Sequence, residues 1–318
     1  MDRHARIYVA GNTTVVGAAI VRALHDRGFA NLAGLGDREP DLTNPVDVNA
    51  FFAQHRPEYV FIAAGKSGGI QANQDHGAEL MLHNLQVATT LIPAAHRHDT
   101  KKLLYLASSC VYPRDCTQPM KEADLLTGKL EPTNEPYALA KLAGMKLCQA
   151  FRTQHGANFI TAIPTNYFGQ GDSFDPENSH VVASMMRRMD DAKRTRAPRI
   201  QIWGTGKPIR ELMPVGDLAR ACLHVMEHYD RPEPINLGNG NALTIAELAE
   251  AIRLVVGFTG RIEFDTTRPD GMPKKMLDSS KLRTLGWTPQ AQFDRALEEL
   301  YGWYLHHRAE PEAKQGAA

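Results

Sequence analysis

Between residues 6 and 163 the sequence alternates short apolar runs with longer stretches in which apolar residues recur at helical spacing. Runs at 6–10, 31–35, 59–63, 103–107 and 159–163 read as strands, the second of them weak. Stretches at 17–27, 48–55, 78–98 and 136–155 read as helices. Gly28 and Gly156 stand where the first and last of these helices would stop. Strand and helix repeated in this way leave few solutions. The one favoured is α/β, a Rossmann-type doubly wound parallel sheet with helices on both faces.

The pattern changes near Pro164. Loops lengthen and become rich in Pro, Asn, Asp and Gly, as in PTNYFGQGDSFDPENSH. A basic helix at 181–193, a strand at 199–203, a helix at 217–228, a strand at 234–237 and a helix at 244–256 follow. Thr244 and Glu247 are spaced as a capping box. The expected organisation is a dinucleotide-binding domain over 1–165 with returning segments about 214–240. A smaller lobe over 166–213 and 241–308 lies on the sheet's carboxyl edge, and 309–318 forms a flexible tail.

The 318 residues carry 43% apolar side chains, enough for a sizeable core. Lys+Arg and Asp+Glu both number 36, and no long basic block occurs, which argues against nucleic acid or an anionic membrane as main partner. No secretory core or membrane-length apolar run is present, so a cytoplasmic protein is expected. Cys110, Cys116, Cys148 and Cys222 form no CxxC and no zinc-like cluster; reduced thiols and no metal are expected.

Gly11-Asn12-Thr13-Thr14-Val15-Val16-Gly17 joins the first strand to the first helix, where a dinucleotide diphosphate can meet a helix N-terminus. A glycine in such a turn also has plain backbone reasons. Asp37, 26 residues after Gly11, suits the adenosine ribose hydroxyls and would repel a 2′-phosphate; a solvated loop aspartate is the other reading. Asp41 and Leu42 are placed to border the adenine. Ala63-Ala64-Gly65 ends the third strand with small residues that permit either cofactor approach or tight packing.

Tyr137 and Lys141 in PYALAKLAG share one helical face at i, i+4. An ammonium beside a phenol lowers its pKa and makes it a usable proton donor and acceptor. Asn134 or Thr133 is the expected cap of this helix, and Pro136 suits its first turn. With the glycine turn and the serine-ending fourth strand (SSCVYP, 108–113), the chain resembles the extended short-chain dehydrogenase/reductase family over nearly its whole length. The resemblance implies that Ser108 holds a substrate carbonyl, Tyr137 donates a proton and Lys141 tunes it and binds the nicotinamide ribose.

Six stretches are more specific: KSGGIQAN (66–73), SSCVYP, EPTNEPYALAKLAG (131–144), PTNYFG (164–169), NSHVV (178–182) and RPDGMPKK (268–275). Together they resemble the GDP-L-fucose synthase family, which epimerises C3 and C5 of GDP-4-keto-6-deoxy-D-mannose and reduces C4 with a nicotinamide cofactor. This resemblance implies proton-transfer roles for Cys110 and His180, both chemically suited to exchange near neutrality. It implies coenzyme contacts at Gly11, Asn12, Val16, Gly17, Asp37, Asp41, Leu42, Ala63, Ala64, Asn84, Tyr137, Lys141, Pro164 and His180. It implies substrate contacts at Ser108, Asn166, Arg188, Trp203 and Arg210, with Arg187 a weaker candidate. A homodimer through the long helices at 78–98 and 136–155 is expected on the same ground.

Two departures matter. Thr13 and Asp37 stand where the family carries basic residues that neutralise a 2′-phosphate, so NAD is plausible beside NADP. Thr14 replaces the middle glycine of the turn and is expected to alter how closely a diphosphate sits. Gly216-Asp217 stands where extended members commonly carry two acids, with no functional account. A related GDP-4-keto-sugar reductase or epimerase-reductase acting on a 6-deoxy-heptose or dideoxyhexose, and a non-catalytic nicotinamide-binding sensor, are the alternatives.

Overall fold

The structure, a computed structural model, describes residues 1–315 apart from 176–178, 269 and 271, with backbone alone at 37, 70, 71 and 309–315. The first half runs β1 (Ile7–Ala10), α1 (Val15–Asp26), β2 (Leu32–Ala33), α2 (Pro45–His55), β3 (Tyr59–Ile62), α3 (Ile70–Asp75), α4 (Gly77–Arg97), β4 (Lys102–Leu106), α5 (Glu135–His155) and β5 (Phe159–Pro164). The second half runs β6 (Asn166–Phe168), α6 (Val181–Arg194), β7 (Arg199–Trp203), β8 (Ile209–Pro214), α7 (Val215–His228), β9 (Ile235–Leu237), β10 (Ala242–Thr244), α8 (Ile245–Val256), β11 (Arg261–Asp265), β12 (Lys274–Lys275), α9 (Ser280–Thr284) and α10 (Phe293–Gln315).

The main sheet has the order β2-β1-β3-β4-β5-β9, all pairs parallel. Its strands are buried on both faces, so successive residues serve different cores. Tyr8, Ala10, Val60, Ile62 and Tyr105 face α2, α4 and α5 through Phe52, Leu91, Ile92 and Met145. Ile7, Val9, Phe61 and Leu104 face α1 and α7 through Ile20, Leu24, Leu218 and Val225. Burying each such large side chain contributes about 1.5–3 kcal/mol. A third core joins α6, β7, α8 and α10 through Met185, Met189, Ile202, Leu248, Ile252 and Leu297. The remaining strands form β10-β8-β12, with β6 beside β8, and the pair β11-β7.

From β1 the chain winds outward to β2, then returns past β1 to β3. The order therefore reverses between β1 and β3, and the crevice at their carboxyl ends is where such sheets take ligands. Gly11 (φ +81°) follows β1, and a Cβ there would lie 2.7 Å from the Ala64 backbone; at Gly17 it would lie 1.9 Å from the Gly11 carbonyl oxygen. Both positions demand glycine for close approach.

Several expectations change in detail. The weak second strand at 31–35 shrinks to Leu32–Ala33, because Gly34 and Gly36 adopt left-handed φ values of +67° and +61° and turn the chain away. α3 emerges inside the KSGGIQAN stretch. The last helix continues to Gln315, into the segment read as a tail. Thr244 and Glu247 form both bonds of the capping box. All four cysteines are free.

Candidate active site

The crevice is built by side-chain bonds between the glycine turn and the loop after β2. The buried Asn12 donates to the Gly34 carbonyl (2.8 Å) and accepts from the Gly36 amide (3.0 Å). Its side chain therefore shapes the turn. Val16 points into the core, leaving backbone as its means of contact. Thr14, the departure from glycine, sits in extended geometry at the head of α1 and needs no glycine there. Its hydroxyl accepts from Gly17 N (3.1 Å) and donates to the Gly11 carbonyl (2.8 Å), so it caps the helix. Thr13 is exposed. Asp37 lies in the short 3-10 turn Gly36–Arg38, and its side chain is outside the described residues.

Sequence reasoning missed Glu39. Its carboxylate accepts from Gly11 N (2.7 Å) and from the Tyr8 hydroxyl (3.1 Å), and burial raises its pKa. It braces the turn from below. Asp41 accepts from Thr43 and is exposed, while Leu42 packs on the first core. Gly65 has a reason beyond small size. A Cβ there would lie 2.3 Å from Asn84 Oδ1 and 3.1 Å from Lys141 Nζ, so its absence admits both groups to the floor of the crevice. Asn84 is buried and donates to the Lys66 and Leu80 carbonyls, while its Oδ1 has no hydrogen-bond partner. That orphaned acceptor at the strand ends, with the tight glycine contacts, fits a polar dinucleotide. His83, on α4, also reaches this region: burial lowers its pKa, and the charges of Lys66, Asp41 and Lys141 act on it.

Past β4 the chain enters a 3-10 turn at Ser109–Val111, which presents Ser108 and Cys110 beside the start of α5. The Ser108 hydroxyl lies beside the Tyr137 phenol and favours its ionisation, but burial dominates and holds the phenol well above its ordinary pKa. The Lys141 ammonium is buried, with no carboxylate in ion-pair range among the described residues; it turns to the Ala64 (3.4 Å) and Leu106 (3.3 Å) carbonyls, and burial pulls it down to about 8. It also lies 5.4 Å from the Tyr105 ring centre.

The expected caps of α5 differ too. Asn134 makes no capping bond; its amide donates to Cys110 Sγ (3.2 Å). Thr133 N instead donates to the Glu131 carboxylate. From the other half of the chain Lys275 Nζ meets the same sulfur at 3.4 Å. His180 stands at the head of α6 without capping it, its pKa lowered by burial and by the nearby Lys275 charge. Ser108, Tyr137, Cys110, Lys275 and His180 thus lie near enough to one another for their charges to interact. Such a set can hold a carbonyl oxygen through hydroxyls and move protons at adjacent carbons.

The second half carries the remaining candidates. Pro164 ends β5, and half-buried Asn166 opens β6. Arg188 donates to the Gln201 carbonyl of β7, and Trp203 is 62% exposed on that strand with the Arg268 guanidinium 4.9 Å from its ring centre. Arg210 donates to the Met272 carbonyl (2.7 Å) and pairs in register with Lys275. Asp270 accepts from Thr205 N (2.6 Å) and Oγ1 (2.7 Å), tying its loop to the turn after Trp203. Arg187 is engaged elsewhere, with the Phe174 carbonyl and Asp191. Arg268, Asp270 and Lys275 lie in the RPDGMPKK stretch, and their individual positions were not legible beforehand. Among the described residues no helix is long and apolar enough to cross a membrane.

Known proteins are similar to this chain over nearly its whole length. The chain is 50% identical over 304 residues to GDP-L-fucose synthase 1 of Arabidopsis thaliana, covering 96% of this chain and 94% of the relative. It is 42% identical over 312 residues to GDP-L-fucose synthase of Escherichia coli strain K12, covering 95% and 97%. The solved structure of a GDP-L-fucose synthetase from Naegleria fowleri bound to NADP superposes with a TM-score of 0.88 at 27% identity, covering 97% and 96%. The sequence model of the NAD dependent epimerase/dehydratase family matches residues 7–238, the span that holds the glycine turn, the Ser108 turn, the Tyr137–Lys141 helix and His180. The chain belongs to that family of NAD(P)-dependent nucleotide-sugar enzymes.

Proposed function

We propose that this protein converts GDP-4-keto-6-deoxy-D-mannose to GDP-L-fucose, inverting C3 and C5 and then reducing C4. The observation that carries the reading is the Lys275 ammonium, which touches Cys110 Sγ (3.4 Å) and whose charge reaches His180, close to Ser108 and Tyr137. A plain reductase needs neither Cys110 nor His180.

Protons at C3 and C5 are acidic because each carbon is alpha to the C4 carbonyl. Ser108 and Tyr137 hydrogen-bond the C4 oxygen and stabilise the enolate that forms when a proton leaves. Cys110 and His180 supply a proton acceptor and a proton donor for inversion. When bound, the nicotinamide supplies hydride to C4. Tyr137 delivers the proton that makes the C4 alcohol, and Lys141 holds its ammonium at the base of the site. Arg188, Trp203 and Arg210 serve the GDP end through charge and an aromatic face. Preference for NADPH is weakened and NADH also serves, because Thr13 and Asp37 stand where the family carries cations that neutralise a 2′-phosphate. The working unit is a homodimer.

Incubation with GDP-4-keto-6-deoxymannose in D2O tests this. Deuterium should enter C3 and C5 without coenzyme turnover, and added coenzyme should give GDP-L-fucose. Cys110→Ser should abolish exchange and leave measurable C4 reduction. Reduction with no exchange in the parent protein would reassign it as a 4-keto-sugar reductase.

A further inference from the structure

Cys110 Sγ receives two donors from distant parts of the chain: Asn134 Nδ2 at 3.2 Å and Lys275 Nζ at 3.4 Å. A neutral thiol sulfur is a weak acceptor, so two converging N–H donors, one cationic, suit a thiolate. Lys275 is half-buried, and among the described residues no carboxylate lies within ion-pair distance of it. Its backbone is also fixed. β12 pairs with β8, and Leu277 N donates to the buried Glu211 carboxylate (2.9 Å). Met120 N donates to the Met276 carbonyl (2.8 Å), and Asp278 N to the Met120 carbonyl (2.8 Å). This lacing holds the segment carrying Lys275 against the one that follows Cys110.

We propose that Lys275 is a positioning residue that holds Cys110 as a thiolate for proton abstraction. The sulfur lone pair takes the proton from the sugar carbon, and the C–H electron pair passes to the C4 oxygen, where Ser108 and Tyr137 receive it. Of the titratable groups, Lys275 touches the sulfur and Tyr137 feels its charge, while the Lys275 charge also reaches His180. The ammonium favours negative charge on sulfur and, by lowering the pKa of His180, makes its imidazolium a readier proton donor when that form is present. The consequence for catalysis rests on the function proposed above; the state of the thiol does not.

The test is alkylation of the intact protein by iodoacetamide from about pH 5 to 9, with peptide mapping to separate Cys110 from Cys116. Lys275→Met should move the Cys110 midpoint up by about one pH unit and cut labelling at neutral pH about tenfold. Lys275→Arg should restore most of it, and the Cys116 curve should stay in place. Deuterium exchange at C3 and C5 should fall in parallel, with C4 reduction less affected. Should Lys275→Met fail to fold, Lys275→Gln carries the same measurement. An unmoved Cys110 midpoint in the folded variant overturns the inference, whatever exchange the parent shows. A moved midpoint with no exchange in the parent upholds the thiolate and removes the epimerase reading instead.

Discussion

Lys141 is 6% exposed, and burial lowers its ammonium pKa to about 8. The folded state therefore favours the neutral amine, while the unfolded lysine stays charged to its ordinary value. The resulting penalty on folding is full below about pH 8 and fades as pH rises toward the unfolded value. Lys141→Met should thus lose activity yet melt about 2–4 °C higher at pH 7, with the gain vanishing above about pH 10 in calorimetry. The lost bonds to Ala64 and Leu106 are long and offset the gain in part. In the parent, C4 reduction should decline above about pH 8 as Lys141 loses its proton. At the other end of the coenzyme, Asp37→Arg should shift the ratio of kcat/KM for NADPH over NADH upward by at least about tenfold. A hundredfold preference of the parent for NADPH would remove the premise. The i, i+4 relation of Tyr137 and Lys141 was legible because helical periodicity is local. The direction of the ammonium was not, because it depends on carbonyls at the ends of two strands.

At the scale of the element, α5 is placed by Gly144. A Cβ there would lie 2.4 Å from the hydroxyl of Tyr105, which is fully buried on β4. The helix sits this close to the sheet only without that carbon, and its position sets where Tyr137 and Lys141 enter the site. Gly144→Ala should cost about 1–3 kcal/mol and lower kcat more than it raises KM, read by denaturation and steady-state rates. Capping shows the limits of local reading. Thr244 and Glu247 form the box their spacing announces, because both partners lie within one turn. Asn134 has the right chemistry for a cap, but a sulfur 24 positions back in sequence takes its amide. Asp217 likewise turned out to be structural: its buried carboxylate accepts from Gln290 N (3.0 Å), Ala291 N (3.1 Å) and Arg220, fastening the chain before α10.

At the scale of the whole molecule, the two halves are held together by buried polar groups. Asn236 of β9 accepts from the Tyr112 hydroxyl (2.6 Å) and donates to the Met120 and Asp278 carbonyls (3.0 Å each). Asn236→Ala should strand these partners, lower stability by about 2–4 kcal/mol and depress C3/C5 exchange by loosening the segment around Lys275; an unchanged melting temperature would contradict this. The alternating strands and helices of the main sheet were readable because their periods are written along the chain. Contacts such as Cys110 with Lys275, 165 positions apart, were not, because nothing in either neighbourhood encodes the distance between them. The head of α1 carries a last consequence. Its threonine hydroxyl already occupies the Gly17 amide hydrogen, so a diphosphate arriving there finds one backbone donor fewer. A spent coenzyme seated at such a turn should therefore leave sooner, which would suit a catalyst that consumes one hydride carrier per product and must exchange it every cycle.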